Sequence, residues 1–247
     1  MQSSNPVLTR GRGFAAMNPN NTDSLEATYA APSAGGVSTG RMTIEDVVMR
    51  TATLFLVLVA VGSVSYGANS GGLALIGLIG GFILAMVNTF KKSVSPALVI
   101  AYAAFQGLAL GGISRAFNDT YPGIVSQAVL GTLCAFGGIL FAYRSGKIRV
   151  TPKFTRVMLG ALVGYMVFAV ISIFTGRPGG ATGTLIAVAA VALATFFLVL
   201  DFDQVEKTIA AGAPRNESWR CAFGLMVTLV WLYLEVLRLL SILRNND

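Results

Sequence analysis

The amino-acid sequence predicts an all-α integral membrane protein with seven transmembrane helices. Of its 247 residues, 54% are hydrophobic and only 12% are charged, whereas soluble domains carry roughly 25% charged residues. Seven apolar segments follow one another, and each approaches the ~20 residues that a helix needs to cross the hydrocarbon core. Because these segments lack period-2 alternation, they predict helices rather than the strands of a barrel.

The chain divides into two predicted parts. Residues 1–42, rich in Asn, Ser, Gly, Pro and Thr and without an apolar core, predict a disordered cytoplasmic tail. Residues 43–244 form the seven-helix transmembrane domain, in which Thr43 is placed to cap the first helix above Glu45 and Asp46. In chain order, the apolar segments run at roughly 47–66, 73–90, 96–114, 124–143, 155–174, 183–201 and 222–243.

The distribution of basic residues predicts the orientation. Fourteen of the 18 lysines and arginines fall on the side of the N-terminus, and only Arg115 and Arg177 fall in the opposite loops. Short cytoplasmic loops carry such an excess, so we expect the N-terminus in the cytoplasm and the protein in the cell's plasma membrane. The same bias explains the net charge of +7 without nucleic-acid binding. Seven crossings place the C-terminus outside, unless the last segment re-enters its own side.

Several function classes are disfavoured by composition. The chain has no histidine, and its two cysteines, Cys134 and Cys221, do not suggest a disulfide framework. No nucleophile–base pair, Cys/His metal spacing or phosphate-binding loop occurs, so we expect neither an enzyme nor a cofactor. The lysines lie at loops or helix ends, which disfavours a retinal protein. An intramembrane protease with two catalytic acids is disfavoured as well.

Pairs of glycines spaced four residues apart recur inside the apolar segments. They are Gly77 with Gly81, Gly107 with Gly111, and Gly160 with Gly164. Small residues at this spacing let helix backbones approach closely. Packing within one bundle and dimerisation through one of these faces are both consistent with the pattern.

Three acids stand inside apolar segments: Asp201, Asp203 and Glu235. A charge at the bilayer centre costs ~2.5–3.5 kcal/mol on insertion scales, so such residues usually face a bundle interior and have a partner. Asp201 and Asp203 are two residues apart and point to roughly opposite helix faces. If the last span covers about 225–244, Glu235 lies near the midplane, and Arg238 on the same face is able to pair with it.

Two interpretations of these acids remain open. Carboxylates brought together in a low-dielectric site cannot both ionise cheaply and titrate as one coupled unit, which predicts a proton-sensitive device. Alternatively, Asp201 and Asp203 mark the water boundary, and Glu235 is held in a structural salt bridge by Arg238.

Three sequence stretches resemble the transmembrane Bax-inhibitor-motif family (Bax inhibitor-1-like), especially its bacterial members. They are D-F-D-Q-V-E-K at 201–207, W-L-Y-L-E-V-L-R-L-L at 231–240 and A-Y-A-A-F-Q-G-L-A-L-G-G-I-S at 101–114. The likeness covers roughly 45–243. It implies a bundle in which a central last helix is wrapped by the others, and a proton-sensitive calcium leak gated by acids from the sixth and seventh helices.

The resemblance also implies roles for individual residues. Asp201 matches the sixth-helix aspartate because Gln204 follows at the family's spacing, although Asp203 is one register away. Glu235 matches the seventh-helix acid, with Glu in place of Asp, and both acids are the expected transient Ca²⁺ contacts. Gln106 stands where the family's third helix often has Glu. Fewer acids predict weaker attraction of a divalent cation.

Two functions are therefore carried forward. The first is a proton-sensitive cation leak channel, with Ca²⁺, protons and membrane lipid as its partners. The alternative is a non-transporting membrane protein of the stress response, which modulates a membrane protease or another membrane-protein partner. Under that alternative, the basic loops and the tail provide contacts to partners or anionic lipid.

Overall fold

Seven long α-helices form most of the described chain, in a computed structural model that describes residues 40–245 apart from 147 and 177. All seven are long and apolar enough to cross a membrane, which confirms the predicted fold class. They are α1 (Ile44–Ala68), α2 (Gly71–Phe90), α3 (Pro96–Thr120), α4 (Ile124–Arg144), α5 (Pro152–Thr175), α6 (Gly180–Ala210) and α7 (Ser218–Asn245).

Local sequence explains where several helices begin. Thr43 caps α1 as predicted: its hydroxyl accepts from the Asp46 amide and the Asp46 carboxylate accepts from the Thr43 amide, each at 3.3 Å. Pro96 and Pro152 occupy the first turns of α3 and α5, where a missing N–H costs no helical hydrogen bond. At 31 residues, α6 is ~46 Å long, so it extends past a ~30 Å hydrocarbon core.

The last helix lies at the centre of the bundle, which confirms the arrangement implied by the family resemblance. α7 packs against α1, α3, α4 and α6. Two apolar clusters meet on it: Leu232 and Leu237 pack with α4 and α6, while Ala222 and Met226 pack with α1 and α3. Residues of α7 that face these clusters are almost fully buried, so α7 makes few contacts with lipid.

Glycine pairs on α2 and α3 allow close helix packing. A Cβ at Gly111 would lie 2.2 Å from the Gly62 carbonyl oxygen of α1, and one at Gly77 would lie 2.3 Å from the Ala109 amide nitrogen of α3. These pairs therefore serve packing within the bundle. Around Gly160 of α5 the space is open, and the same holds for its partner glycine at 164.

α5 is the most peripheral helix. It packs mainly against α6, and Ser172 is its one fully buried residue within the described part of the chain. Large apolar side chains along it are exposed, among them Ile173 and Phe174. In an integral membrane protein such a surface contacts lipid.

The N-terminal part of the predicted tail, residues 1–39, lies outside the described residues. Residues 40–42 are described, and they lie against the connection between α6 and α7. This connection shares one end of the bundle with the start of α1 and with the connections α2–α3 and α4–α5. We call this end of the bundle the basic end, because most of the lysines and arginines among the described residues are there.

Candidate functional site

The antiparallel register of α6 and α7 sets the depth of the acids. The Asp201 carboxyl of α6 interacts with the Thr228 hydroxyl of α7. Nearly one turn further from the basic end, the rings of Phe197 and Trp231 meet with centroids 5.7 Å apart. Glu235 is one more turn along α7. The two helices therefore carry polar groups at successive levels of their interface.

Asp201 faces the bundle interior. Its Oδ2 atom is buried and has no hydrogen-bond partner among the described residues, while Thr228 interacts with the same carboxyl. Burial of a carboxylate oxygen without a partner is unfavourable. Asp201 is therefore only partly satisfied by the described residues, because Thr228 contacts its carboxyl but one of its oxygens has no partner.

Asp203 and Gln204 face away from this interface. Asp203 forms an ion pair with Lys207 one turn later, at 2.5 Å, and Gln204 is exposed and donates to the Thr208 hydroxyl at 3.3 Å. The two aspartates point to different faces, as their spacing predicts. Asp203 thus belongs to the solvated end of α6, and its supporting role stays a prediction, as does that of Gln204.

Glu235 is surrounded by three polar partners. The Tyr165 hydroxyl of α5 and the Trp231 indole donate to its Oε1, the indole at 3.2 Å. Arg238 approaches its Oε2 at 3.2 Å, so the pairing predicted from their spacing is present. Arg238 also donates to the Tyr165 hydroxyl at 3.1 Å. The side chains of Glu235 and Arg238 are 8% and 13% exposed, which makes them a largely buried ion pair.

The two acids predicted to form a gate are not in contact. Thr228, level with Asp201, precedes Glu235 by seven residues, which is ~10 Å along a helix at 1.5 Å per residue. In the described part of the chain, no hydrogen bond joins the two carboxyls: Asp201 Oδ2 has no partner, and Glu235 contacts Tyr165, Trp231 and Arg238. Asp201 and Glu235 are thus separate sites at two depths of one helix interface.

Nearly the whole chain matches one protein family. Residues 5–245 match the sequence profile of a family described as Bax inhibitor 1 like. The chain belongs to this family. The match confirms the resemblance drawn from the motifs of α3, α6 and α7. A comparison with curated proteins finds no match.

In this Bax inhibitor 1 like protein, Gln106 lies apart from both acids. Its side chain interacts with Tyr102 one turn earlier on α3, and its amide nitrogen would be 3.1 Å from a Cβ at Gly81 of α2. Gln106 therefore fills the space between α2 and α3. Its predicted role beside the acids stays a prediction.

A resident metal site has no ready set of ligands in the described residues of this Bax inhibitor 1 like chain. No group of three or more Asp, Glu, His or Cys side chains comes together there. Arg238, 3.2 Å from Glu235, repels any cation that approaches this acid while the pair is intact. Of the two predicted Ca²⁺ contacts, Asp201 is the one whose carboxylate has a free oxygen.

Tyr165 and Trp231 are site residues that the sequence pattern alone does not single out. Trp231 is four residues before Glu235 and shares its helix face, a spacing that makes its contact predictable in retrospect. Tyr165 is a lone phenol in an apolar helix. Its contact with Glu235 depends on where α5 docks, which no local pattern specifies.

Proposed function

We propose that the protein is a proton-sensitive cation leak channel, with Ca²⁺ as the expected ion, and that Asp201 and Glu235 form its gate. The observation that carries this proposal is a buried acid on each of two facing helices: Asp201 has a carboxylate oxygen without a hydrogen-bond partner, and the Oε2 atom of Glu235 is held only by its ion pair with Arg238. Acids at such positions commonly belong to ion or proton pathways. Membership in the Bax inhibitor 1 like family supports the same function.

The separation of the acids favours a gate with two levels. To share one proton, α6 would have to move ~10 Å along α7, about two helical turns. Separate protonation at two depths needs no such displacement. The gate therefore consists of Asp201 toward the basic end and Glu235 deeper in the bundle, each binding its own proton.

The Glu235 level provides a means of coupling protonation to movement. When Glu235 is ionised, it holds Arg238 and accepts from Tyr165 of the peripheral helix α5. Protonation removes the charge that attracts Arg238, and the ion pair weakens. Because α5 has few other buried contacts, loss of this attraction frees it to shift and to open a path past Glu235.

The Asp201 level is the expected place for transient contact with Ca²⁺. Hard cations prefer oxygen ligands, and the Asp201 carboxylate and Thr228 hydroxyl supply oxygens. A single carboxylate gives weak binding, which suits a leak, because an ion must leave as readily as it enters. This arrangement is one of transport rather than catalysis, in a plasma membrane protein with a cytoplasmic N-terminus.

Calcium flux into proteoliposomes at several pH values tests the proposal. We expect the wild type to leak Ca²⁺ at a rate that depends on pH, and Asp201→Asn and Glu235→Gln each to flatten the pH profile. Asp203→Asn is the matched control, since Asp203 is an acid of the same helix that pairs with Lys207. Its profile should resemble that of the wild type.

Two results would contradict the proposal. A pH profile left intact by both Asp201→Asn and Glu235→Gln would remove these acids from the gate. Absence of flux in the wild type, with a membrane protein co-purifying through the basic loops or the tail, would favour the non-transporting function instead. Glu235→Gln alone leaves Arg238 without its counter-charge, whereas Glu235→Gln combined with Arg238→Met leaves no unpaired charge. A pH profile that is flat in this double variant as well shows that misfolding of the single variant is not the reason for the change in flux.

A further inference from the structure

Three residues before α1 run along the connection between α6 and α7. In this stretch, Gly40–Met42, which we call the strap, the Met42 amide donates to the Ala213 carbonyl at 2.9 Å. From the other side, the Arg215 amide donates to the Gly40 carbonyl at 2.6 Å. The two segments thereby form a short antiparallel bridge. The strap thus ties the start of the transmembrane domain to the link between its last two helices.

The Met42 side chain fixes the strap in place. It is 3% exposed and belongs to an apolar cluster with Leu198, Phe202 and Val205 of α6 and Leu225 of α7. Phe202 directly follows Asp201, and Val205 is one turn later. Met42 therefore occupies the basic end of the same α6–α7 interface in which the Asp201 carboxyl is buried.

A polar clamp next to the strap holds the same connection against α1. Arg215 pairs with Asp46 at 2.8 Å, and Arg50 donates to the Arg215 carbonyl at 2.7 Å and to the Ser218 hydroxyl. The Arg50 guanidinium also lies 5.0 Å from the centre of a Trp219 ring. The clamp thus attaches the start of α7 to α1 through contacts that do not involve the strap residues.

We propose that the strap is a regulatory latch: docked, it keeps the basic end of the α6–α7 interface closed, and released, it opens the Asp201 level to water. Two backbone hydrogen bonds and one side chain hold it, so its opening is a local event rather than unfolding. The link to ion flux rests on the proposed function; the opening itself does not.

The native Cys221 reports on the opening. It is half-buried in the first turn of α7, interacts with Thr208 of α6 and packs against the cluster that contains Met42. With Cys134→Ser as background, Met42→Ala should increase the rate at which a maleimide labels Cys221 by about tenfold or more, because Met→Ala leaves a cavity in the core.

Matched variants separate the latch from general loosening. Met49→Ala removes a methionine of α1 that is 67% exposed and should label like the background. Met42→Leu conserves volume and should restore slow labelling. In a background with Cys134→Ser and Cys221→Ser, Ser65→Cys places a buried thiol far from the strap. Its labelling should stay slow when Met42→Ala is added.

Equal labelling rates of Cys221 in the Met42→Ala and Met49→Ala proteins overturn the latch. A labelling rate at position 65 that rises together with that of Cys221 also overturns it, because it indicates unfolding. In proteoliposomes, Met42→Ala should leak Ca²⁺ faster than Met49→Ala. Faster labelling with unchanged flux overturns the link to the leak. A wild type without flux removes the proposed function but leaves the labelling result standing.

Discussion

At the scale of single residues, the Glu235–Arg238 pair places two opposite charges inside the bundle. Both side chains are largely buried, and taking two charges out of water is expensive unless their remaining polar atoms find partners. Tyr165 and Trp231 satisfy Glu235 further. The pair is therefore stable only as a complete cluster, and loss of one member leaves a buried charge behind.

Arg238→Ala should strongly destabilise the protein, because it leaves the Glu235 carboxylate buried without its counter-charge. Breaking a buried ion pair from one side costs about 3–5 kcal/mol. We expect a clear fall in the thermal unfolding midpoint in detergent. Arg156→Ala, at an exposed position of α5, is the control and should shift the midpoint little.

A second substitution shows whether the lost pairing is the cause. Adding Glu235→Gln to Arg238→Ala removes the stranded charge, so the double variant should recover a large part of the midpoint. Recovery measures the coupling between the two side chains. If the double variant is as unstable as the sum of the single variants, the two residues act independently and the ion pair contributes little.

At the scale of helices, α3 and α5 differ in how closely their glycine pairs approach neighbouring helices. The backbone of α3 lies almost in contact with α1 at Gly111 and with α2 at Gly77. Helices that pack this closely behave as one unit. α5 makes no comparable approach along its glycine pair at 160 and 164, and its polar contact with α7 passes through Tyr165. The fold thus combines a rigid α1–α2–α3 unit with a loosely attached α5.

Gly111→Ala should destabilise the protein, whereas Gly160→Ala should not. A Cβ at Gly111 would be 2.2 Å from a backbone oxygen, and such overpacking typically costs about 1–3 kcal/mol. At Gly160 the space is open, and alanine favours a helix over glycine by ~1 kcal/mol. Thermal unfolding in one detergent compares the two. Equal losses would mean that the α5 face is also packed, which a second copy of the chain would explain.

At the scale of the whole molecule, the two ends of the bundle differ in charge and in the contacts that hold their connections. The basic end gathers the strap, the clamp around Arg215 and most of the lysines and arginines of the described residues. The opposite end holds the α3–α4 connection, where Arg244 donates to the Pro122 carbonyl at 2.8 Å. This asymmetry predicts that the basic end faces the cytoplasm.

Single thiols at the C-terminal ends of α3 and α4, which lie at opposite ends of the bundle, test this orientation. In a background with Cys134→Ser and Cys221→Ser, Thr120→Cys should react with a membrane-impermeant maleimide in intact cells. Ser145→Cys should react only after lysis, because the α4–α5 connection is predicted to be cytoplasmic. Both positions are exposed. The opposite labelling pattern would reverse the topology and place the strap outside the cell.

The sequence by itself predicted the seven helices, the presence of acids within apolar segments and a spacing that lets Arg238 pair with Glu235, while it left open whether Asp201 is buried or at the water boundary. Each of these follows from local rules: the length of an apolar run, the cost of charge in hydrocarbon and the three-residue spacing on one helix face. The central place of α7 followed from a resemblance rather than from such a rule. The family match over residues 5–245 likewise depends on the sequence alone.

Only the tertiary structure decided which groups meet across helices. It placed Asp201 beside Thr228 and Glu235 about two turns deeper, although both acids had been expected in one pair. It also brought Tyr165 to Glu235 and seated Met42 against α6. The register of one helix on another depends on the packing of many side chains along both helices. No short sequence pattern specifies that packing.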